Sequence, residues 1–304
     1  MQRKRLITII GPTAVGKTAL GIAFSKAYQT EIISCDSRQF FKEMTIGTAV
    51  PSTEELEAAP HHFIQNLSIH QDYSVGDFER DAIELLDQLF KKHDEVIMVG
   101  GSALYEKAIT HGLDDFPEVP EAIEQQLEKE LNQDGLDALV EELRKVDHEY
   151  AAKVDISNPR RILRALSIYR SSGETFSSFR TSTSKKRSFE VIKIGLEAPR
   201  EELYARINHR VDVMLKAGLL EEVRELLPYK ELTALKTVGY QELFPYLEYN
   251  YSLEEGIRLI KRNSRRFAKR QMTWYRKDPS VTWFSYKTRH TEIVKRVQEK
   301  FMES

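Results

Sequence analysis

Leu6-Ile7-Thr8-Ile9-Ile10 runs directly into Gly11-Pro12-Thr13-Ala14-Val15-Gly16-Lys17-Thr18, and this junction decides the fold. The first five residues are apolar and rich in β-branching, which reads as a short buried strand. The next eight match G-x-x-x-x-G-K-[ST] in full, and residues 19–28 continue as a helix. Strand, glycine-rich turn and helix are the context in which this motif cradles phosphates. Glycines let backbone amides converge on phosphate oxygens with no Cβ in the way, and the helix N-terminus adds positive potential. Lys17 supplies a point charge, and the Thr18 hydroxyl is suited to ligating Mg²⁺. The bland alternative is an accidental glycine turn, which the flanking strand and helix argue against.

Working outward, residues 31–34 read as a second strand and residues 74–93 as an amphipathic helix, with Phe78, Ala82, Leu85, Leu86 and Leu89 at helical spacing. Glu95–Val99 reads as a third strand ending in Gly100-Gly101. Strands alternating with helices predict an α/β fold: a P-loop NTPase-like parallel sheet covered on both faces. The third strand runs into Gly100-Gly101-Ser102 with no acidic residue, where P-loop ATPases keep a metal-binding aspartate. The cradle therefore says phosphates, not ATP.

The texture then changes. Residues 114–155 are strongly acidic with helical periodicity, and residues 157–189 are basic, including Arg160, Arg161, Arg164, Arg170, Lys185, Lys186 and Arg187. Residues 171–188, rich in Ser and Thr, read as a mobile loop. The expected organisation is a catalytic core from residues 1–113 and 190–304, with a mostly helical inserted domain at 114–189. Within the core, residues 191–196 read as a returning strand, 199–227 as helical, and Leu253–Tyr275 as a long helix. Tyr73-Ser74-Val75 is expected to cap the 74–93 helix.

Composition sets limits. The chain has 304 residues, is 41% hydrophobic and carries a net charge of -2, so a nucleic-acid surface must be a local patch. Its one cysteine, Cys35, cannot form an internal disulfide or a Cys-rich metal cage, which suits a reducing cytoplasm. Arg3, Lys4 and Arg5 resemble the start of a signal peptide, but the apolar run after them is too short. No apolar run approaches the length of about 18 residues needed to span a membrane. A soluble cytoplasmic protein, working as a monomer, is expected.

Two further features carry chemistry. Asp36 follows the second strand in Ser34-Cys35-Asp36-Ser37-Arg38-Gln39, and the carboxyl end of a parallel strand faces the ligand crevice. A carboxylate there can bind a metal or accept a proton, and an Asx turn is the ordinary alternative. Residues 258–277 hold nine Lys or Arg and no Asp or Glu. On a helix they form a basic stripe whose self-repulsion a polyanion would relieve. Phe267, Trp274 and Tyr275 lie within it as candidate base-stackers, with core packing the stronger reading for Phe267 and Trp274. His61-His62 lacks metal-ligand spacing, and packing is the safer reading.

GPTAVGKT, IISCDSRQ, APHHF, VGGSALY, NPRRILRALSIY, TVGYQEL and KRQMTWYR, in this order from residue 11 to residue 276, resemble the tRNA dimethylallyltransferase family. The resemblance implies transfer of a prenyl group from dimethylallyl diphosphate to the N6 amine of the adenosine 3′ to the anticodon in tRNA. It implies that the P-loop and Mg²⁺ hold the donor diphosphate, with Thr13 at the bridging oxygen of the leaving group. Asp36 would be the base for the amine. An arginine of the helix around residues 205–210 would bind diphosphate; Arg210 is favoured, with Arg206 one turn away left open. Ser37, Arg38, Gln39, Ser102, Arg160, Arg161, Arg164, Gly239, Tyr240, Lys269, Arg270, Gln271 and Arg276 would meet tRNA. Ser102 stands where the family has threonine and keeps the hydroxyl. Rival readings are an adenine-nucleotide prenyltransferase, a P-loop kinase, and a nucleotide-gated RNA-binding protein.

Overall fold

The computed structural model describes residues 3–181 and 184–302. The N-terminal apolar run becomes β1 (Arg5–Ile10), followed by α1 (Lys17–Tyr28), β2 (Ile32–Ser34), α2 (Thr53–Ala58), β3 (His61–His62), α3 (Val75–Leu89), β4 (Glu95–Val99) and α4 (Ala103–His111). An inserted segment carries α5 (Glu121–Asp134), α6 (Leu136–Val146), α7 (His148–Ala151), α8 (Pro159–Ser172) and α9 (Phe176–Phe179). The chain returns through β5 (Glu190–Glu197), α10 (Arg200–Lys216), α11 (Leu219–Leu226), α12 (Phe244–Leu247), α13 (Leu253–Tyr275), β6 (Thr282–Ser285) and α14 (His290–Met302).

The strands form one sheet in the order β3-β2-β4-β1-β5-β6, and every neighbouring pair is parallel. A parallel sheet is covered on both faces, so its central strand is mostly apolar, with Thr8 the one fully buried polar side chain of β1. In β1, Leu6, Ile7 and Ile9 are fully buried. Ile7 and Ile9 join Leu20 and Phe24 of α1 in one core, and Leu6 joins Phe78, Ala82 and Leu86 of α3 in another. Lys193 of β5 is the exception that shows the rule: its ammonium is buried, but pairs with Glu106 at 3.0 Å and Asp278 at 2.7 Å. Successive strands leave β1 in opposite directions along the sheet. The crevice at their carboxyl ends is where such folds bind ligands.

The chain divides into two compact units, Gly112–Lys185 and the remainder. The boundary falls before the expected 114–189 because Arg187 and Phe189 belong to the core. Arg187 donates to the Ala108 and Ile109 carbonyls, and Phe189 packs on Phe90. The insertion has its own centre, formed by Leu127, Leu139, Val140, Leu143, Ile162, Ala165 and Leu166. Asn158 caps α8 through the Arg161 N–H, with Pro159 in the first turn, where its missing donor costs nothing.

Other expectations need adjusting. The 171–188 loop is shorter: α8 runs to Ser172, and Thr175 caps the one-turn α9; Ser182 and Thr183 lie outside the described residues. The helical stretch expected over 199–227 forms two helices, because Gly218 takes φ +102° between α10 and α11. The amphipathic helix stops at Leu89 instead of running to His93. Ser74 caps it in a reciprocal pair with Asp77, as the sequence indicates.

Candidate active site at the carboxyl edge of the sheet

β1, β2 and β4 end side by side, and their exits build the site. The phosphate loop leaves β1 with Gly11 at φ +144°, where an added Cβ would lie 2.5 Å from the Leu196 carbonyl. Lys17 Nζ reaches back to the Gly11 and Pro12 carbonyls at 3.1 and 2.9 Å. Thr13, Ala14, Gly16, Lys17 and Thr18 line a cavity of about 560 Å³. Val15 packs into the core, and Gly11 and Pro12 are buried behind the loop, so these three contribute backbone only. The expected eight-residue cradle is thus five lining residues on a three-residue backing.

Asp36, after β2, lines this cavity and a second one of about 550 Å³. Thr13, Ala14, Thr48, Ala49 and Arg210 also line both, so the two cavities meet at these residues. One Asp36 oxygen accepts the Arg38 N–H at 3.2 Å. The Asx turn and the site-facing carboxylate are therefore both present. Burial pulls the Lys17 ammonium down to about 8, opposed by Asp36 and helped by Arg210. Burial likewise lowers Arg210, against the attraction of Asp36. These groups form a compact, desolvated charge cluster with one acid among two cations.

Arg206 and Arg210 both line the phosphate-side cavity and differ in what else they touch. Arg210 lines both cavities, whereas the exposed Arg206 lines only the phosphate side, donates to the Ala14 carbonyl at 2.8 Å and lies over the Tyr286 ring. Ser102, at the β4 exit, accepts the Ser37 N–H at 3.2 Å, and the two hydroxyls also meet at 3.2 Å. Both serines line the second cavity, with Arg38, Gly239 and Arg270.

Several expected RNA contacts are occupied inside the protein. Tyr240 is fully buried and donates to Glu222 at 2.6 Å, so its ring cannot meet RNA. Gln39 donates to the Thr48 and Ala49 carbonyls. Arg38 Nη1 donates to the Thr233 and Ala234 carbonyls. Gln271 bonds the Thr13 N–H and the Gly101 carbonyl. Arg276 pairs with Glu197 at 3.3 Å and lines neither cavity. The aromatic assignments reverse: Tyr275 is buried, while Phe267 and Trp274 are exposed and line the second cavity.

The basic stripe of α13 divides. Arg258 pairs with Glu255, Lys261 with Asp212, and Arg265 donates to Asn208. Arg266, Lys269, Arg270 and Lys277 have no carboxylate within ion-pair distance among the described residues. With Thr273 and Trp274 they line an open groove of about 390 Å³. In the insertion, Arg160, Arg161 and Arg164 are exposed on α8. His62 is spent on Glu31 at 2.6 Å.

Thr48, Ala49 and Glu222 carry no sequence signal of function. The Glu222 carboxylate accepts the N–H groups of Thr45, Ile46 and Gly47, and so holds the loop that sets Thr48 and Ala49 at the junction.

The sequence model of the family described as IPP transferase matches residues 39–278. The tRNA dimethylallyltransferase of Christiangramia forsetii is 55% identical over 97% of this chain and 98% of its own length. That of Flavobacterium psychrophilum is 48% identical over the same shares. The solved full-length tRNA isopentenylpyrophosphate transferase of Bacillus halodurans is 36% identical, with a TM-score of 0.74 over 99% of this chain and 98% of its own. A eukaryotic dimethylallyltransferase solved while acting on tRNA is 25% identical, with a TM-score of 0.80 over 93% of this chain and 74% of its own. With a phosphate loop and an acid at the meeting of two cavities, and relatives of this identity along its whole length, the chain belongs to the tRNA dimethylallyltransferase family.

Proposed function

We propose that this protein transfers the dimethylallyl group of dimethylallyl diphosphate to the N6 amine of the adenosine 3′ to the anticodon in tRNA. The observation that carries this reading is the junction at Asp36. One cavity is walled by the phosphate loop, and the other opens among Phe267, Arg270 and Trp274. Donor and acceptor can approach Asp36 from different sides.

An adenine amine is a weak nucleophile because its lone pair is delocalised into the ring. An allylic diphosphate compensates by leaving early. Lys17, Arg210 and the loop amides take up charge on the departing diphosphate, and the Thr13 hydroxyl donates to the oxygen leaving the allylic carbon. The amine nitrogen bonds that carbon, the C–O bond breaks, and Asp36 takes the amine proton. The cluster fits Mg²⁺: Thr18 and Asp36 place oxygen donors on the phosphate-side cavity. No cluster of three His, Cys, Asp or Glu exists among the described residues, so most ligands would come from diphosphate and water. When bound, the ion would neutralise developing negative charge on the leaving group.

The adenine must leave its stack to reach Asp36, at a cost of roughly a few kcal/mol for unstacking the base. Phe267 and Trp274 offer rings for neighbouring bases, and Arg266, Lys269 and Arg270 offer charge for phosphates. Arg160, Arg161 and Arg164, exposed on the insertion, offer further charge for RNA phosphates. One chain completes both cavities, which supports a monomer. No helix among the described residues is long and apolar enough to cross a membrane. The single buried cysteine suits a reducing cytoplasm.

The test is transfer of radiolabelled dimethylallyl to total tRNA, with AMP and ATP offered in parallel. Label in tRNA alone is expected. Prenylated AMP would move the acceptor to a free nucleotide, and ATP turnover without transfer would make the protein a kinase.

A further inference from the structure

Gln271 is 5% exposed, on the side of α13 turned toward the sheet. Its amide makes two bonds to distant backbone. Oε1 accepts the Thr13 N–H at 2.9 Å, and Nε2 donates to the Gly101 carbonyl at 2.9 Å. Thr13 belongs to the phosphate loop after β1, and Gly101 to the turn after β4. The amide therefore joins two strand exits to a helix that also bears Lys269, Arg270 and Trp274 on an open groove; Gln271 lines the second cavity but not that groove.

Gly101 is matched to this arrangement. A Cβ there would lie 2.3 Å from Gln271 Nε2 and 3.8 Å from Lys17 Nζ. The space a side chain would fill is taken by the Gln271 amide, within reach of the phosphate-binding lysine. The bond also commits the Thr13 N–H. That amide is directed at Gln271 and not at phosphate, which fixes the orientation of Thr13 where its side chain lines both cavities. A buried amide bonded at both ends holds its partners in one geometry, because freeing either leaves a buried polar group unpaired.

We propose that Gln271 is a positioning residue for the donor side of the reaction: it ties Thr13 to Gly101 and sets the phosphate loop from α13. The inference rests on the prenyl-transfer reading and deepens it. A glutamine expected among the RNA contacts acts instead on the diphosphate cradle.

The experiment compares full-length wild type with Gln271→Met and Gly101→Ala. Gln271→Met keeps the length of the side chain and drops both bonds. Gly101→Ala keeps Gln271 and drives its amide off its partners. Inorganic pyrophosphate binding is read by calorimetry, anticodon stem-loop binding by filter retention, and donor KM and kcat from tRNA prenylation. In both variants pyrophosphate binding weakens about tenfold and donor KM rises by a similar factor, while stem-loop affinity stays within about twofold. Weaker stem-loop binding with unchanged pyrophosphate binding would make Gln271 an RNA contact and overturn the proposal. Unchanged pyrophosphate binding in either variant would overturn it too. The pyrophosphate measurement needs neither RNA nor transfer, so failure of the prenyl-transfer reading would appear separately, as an inactive wild-type enzyme.

Discussion

The Tyr240 hydroxyl donates to Glu222 at 2.6 Å, and the same carboxylate accepts the backbone N–H groups of Thr45, Ile46 and Gly47. A buried phenol and an acid on α11 thus anchor the loop whose next residues, Thr48 and Ala49, stand at the junction of the cavities. Tyr240→Phe removes one donor and leaves the ring in place. Stability should fall by about 1–2 kcal/mol. Stem-loop affinity should change little, as melting curves and filter binding would show. A large loss of RNA affinity without destabilisation would restore Tyr240 as an RNA contact.

Lys17 gives a pH dependence whose sign is fixed by its lowered pKa of about 8. The ammonium is the form that holds diphosphate. It is present below pH 8 and lost as pH rises through that value. The ratio kcat/KM for the donor should therefore fall above about pH 8, approaching tenfold per pH unit. Lys17→Arg remains charged and should flatten this limb. Stability runs the other way. The folded pKa lies below the unfolded 10.5, so the unfolded chain binds more protons between the two, and the Lys17 contribution to stability rises with pH across that window.

How much of this was legible in the sequence depends on how local the chemistry is. The phosphate loop is legible because eight consecutive residues must do one task. Asp36 is legible because strand ends face the crevice. Leu253–Tyr275 is legible end to end, since Ser252 caps it and its periodicity is unbroken. The aromatic reversal shows the limit. Trp274 and Tyr275 are adjacent, about 100° apart on the helix, and periodicity alone does not say which of two neighbours faces the core. Tyr240, Gln39 and Gln271 are set by partners 18, 10 and 258 residues away, and no local pattern announces such bonds. Gly218 is visible as a glycine, but that it divides a helix is a tertiary outcome.

The groove formed by Arg266, Lys269, Arg270 and Trp274 should show two separable effects. Lys269→Ala should reduce the dependence of log affinity on log salt concentration by about one unit, with donor KM unchanged. Trp274→Ala should weaken stem-loop binding by about 1–3 kcal/mol, with little change in salt dependence. Titrations across a range of salt concentrations distinguish the two. An unchanged slope in Lys269→Ala would remove that residue from the phosphate contacts.

In the insertion, Arg170 bridges Glu130 and Glu142, with contacts of 2.5–3.0 Å from its three guanidinium nitrogens. Arg170→Ala leaves those carboxylates facing each other and should destabilise the insertion by about 1 kcal/mol, a small effect because all three groups stay partly solvated. Hydrogen exchange should quicken in α5, α6 and α8 and stay unchanged in β1 and β4. Equal quickening in β1 would show that the two units do not open separately.

In the proposed reaction Asp36 is the base at which donor and acceptor meet. Single-turnover transfer of dimethylallyl to tRNA by wild type and Asp36→Ala, with stem-loop affinity measured on the same preparations, tests it most directly. Transfer should fall by at least about a hundredfold while RNA affinity changes little. Transfer that persists near the wild-type rate, or RNA binding that collapses together with transfer, would contradict it.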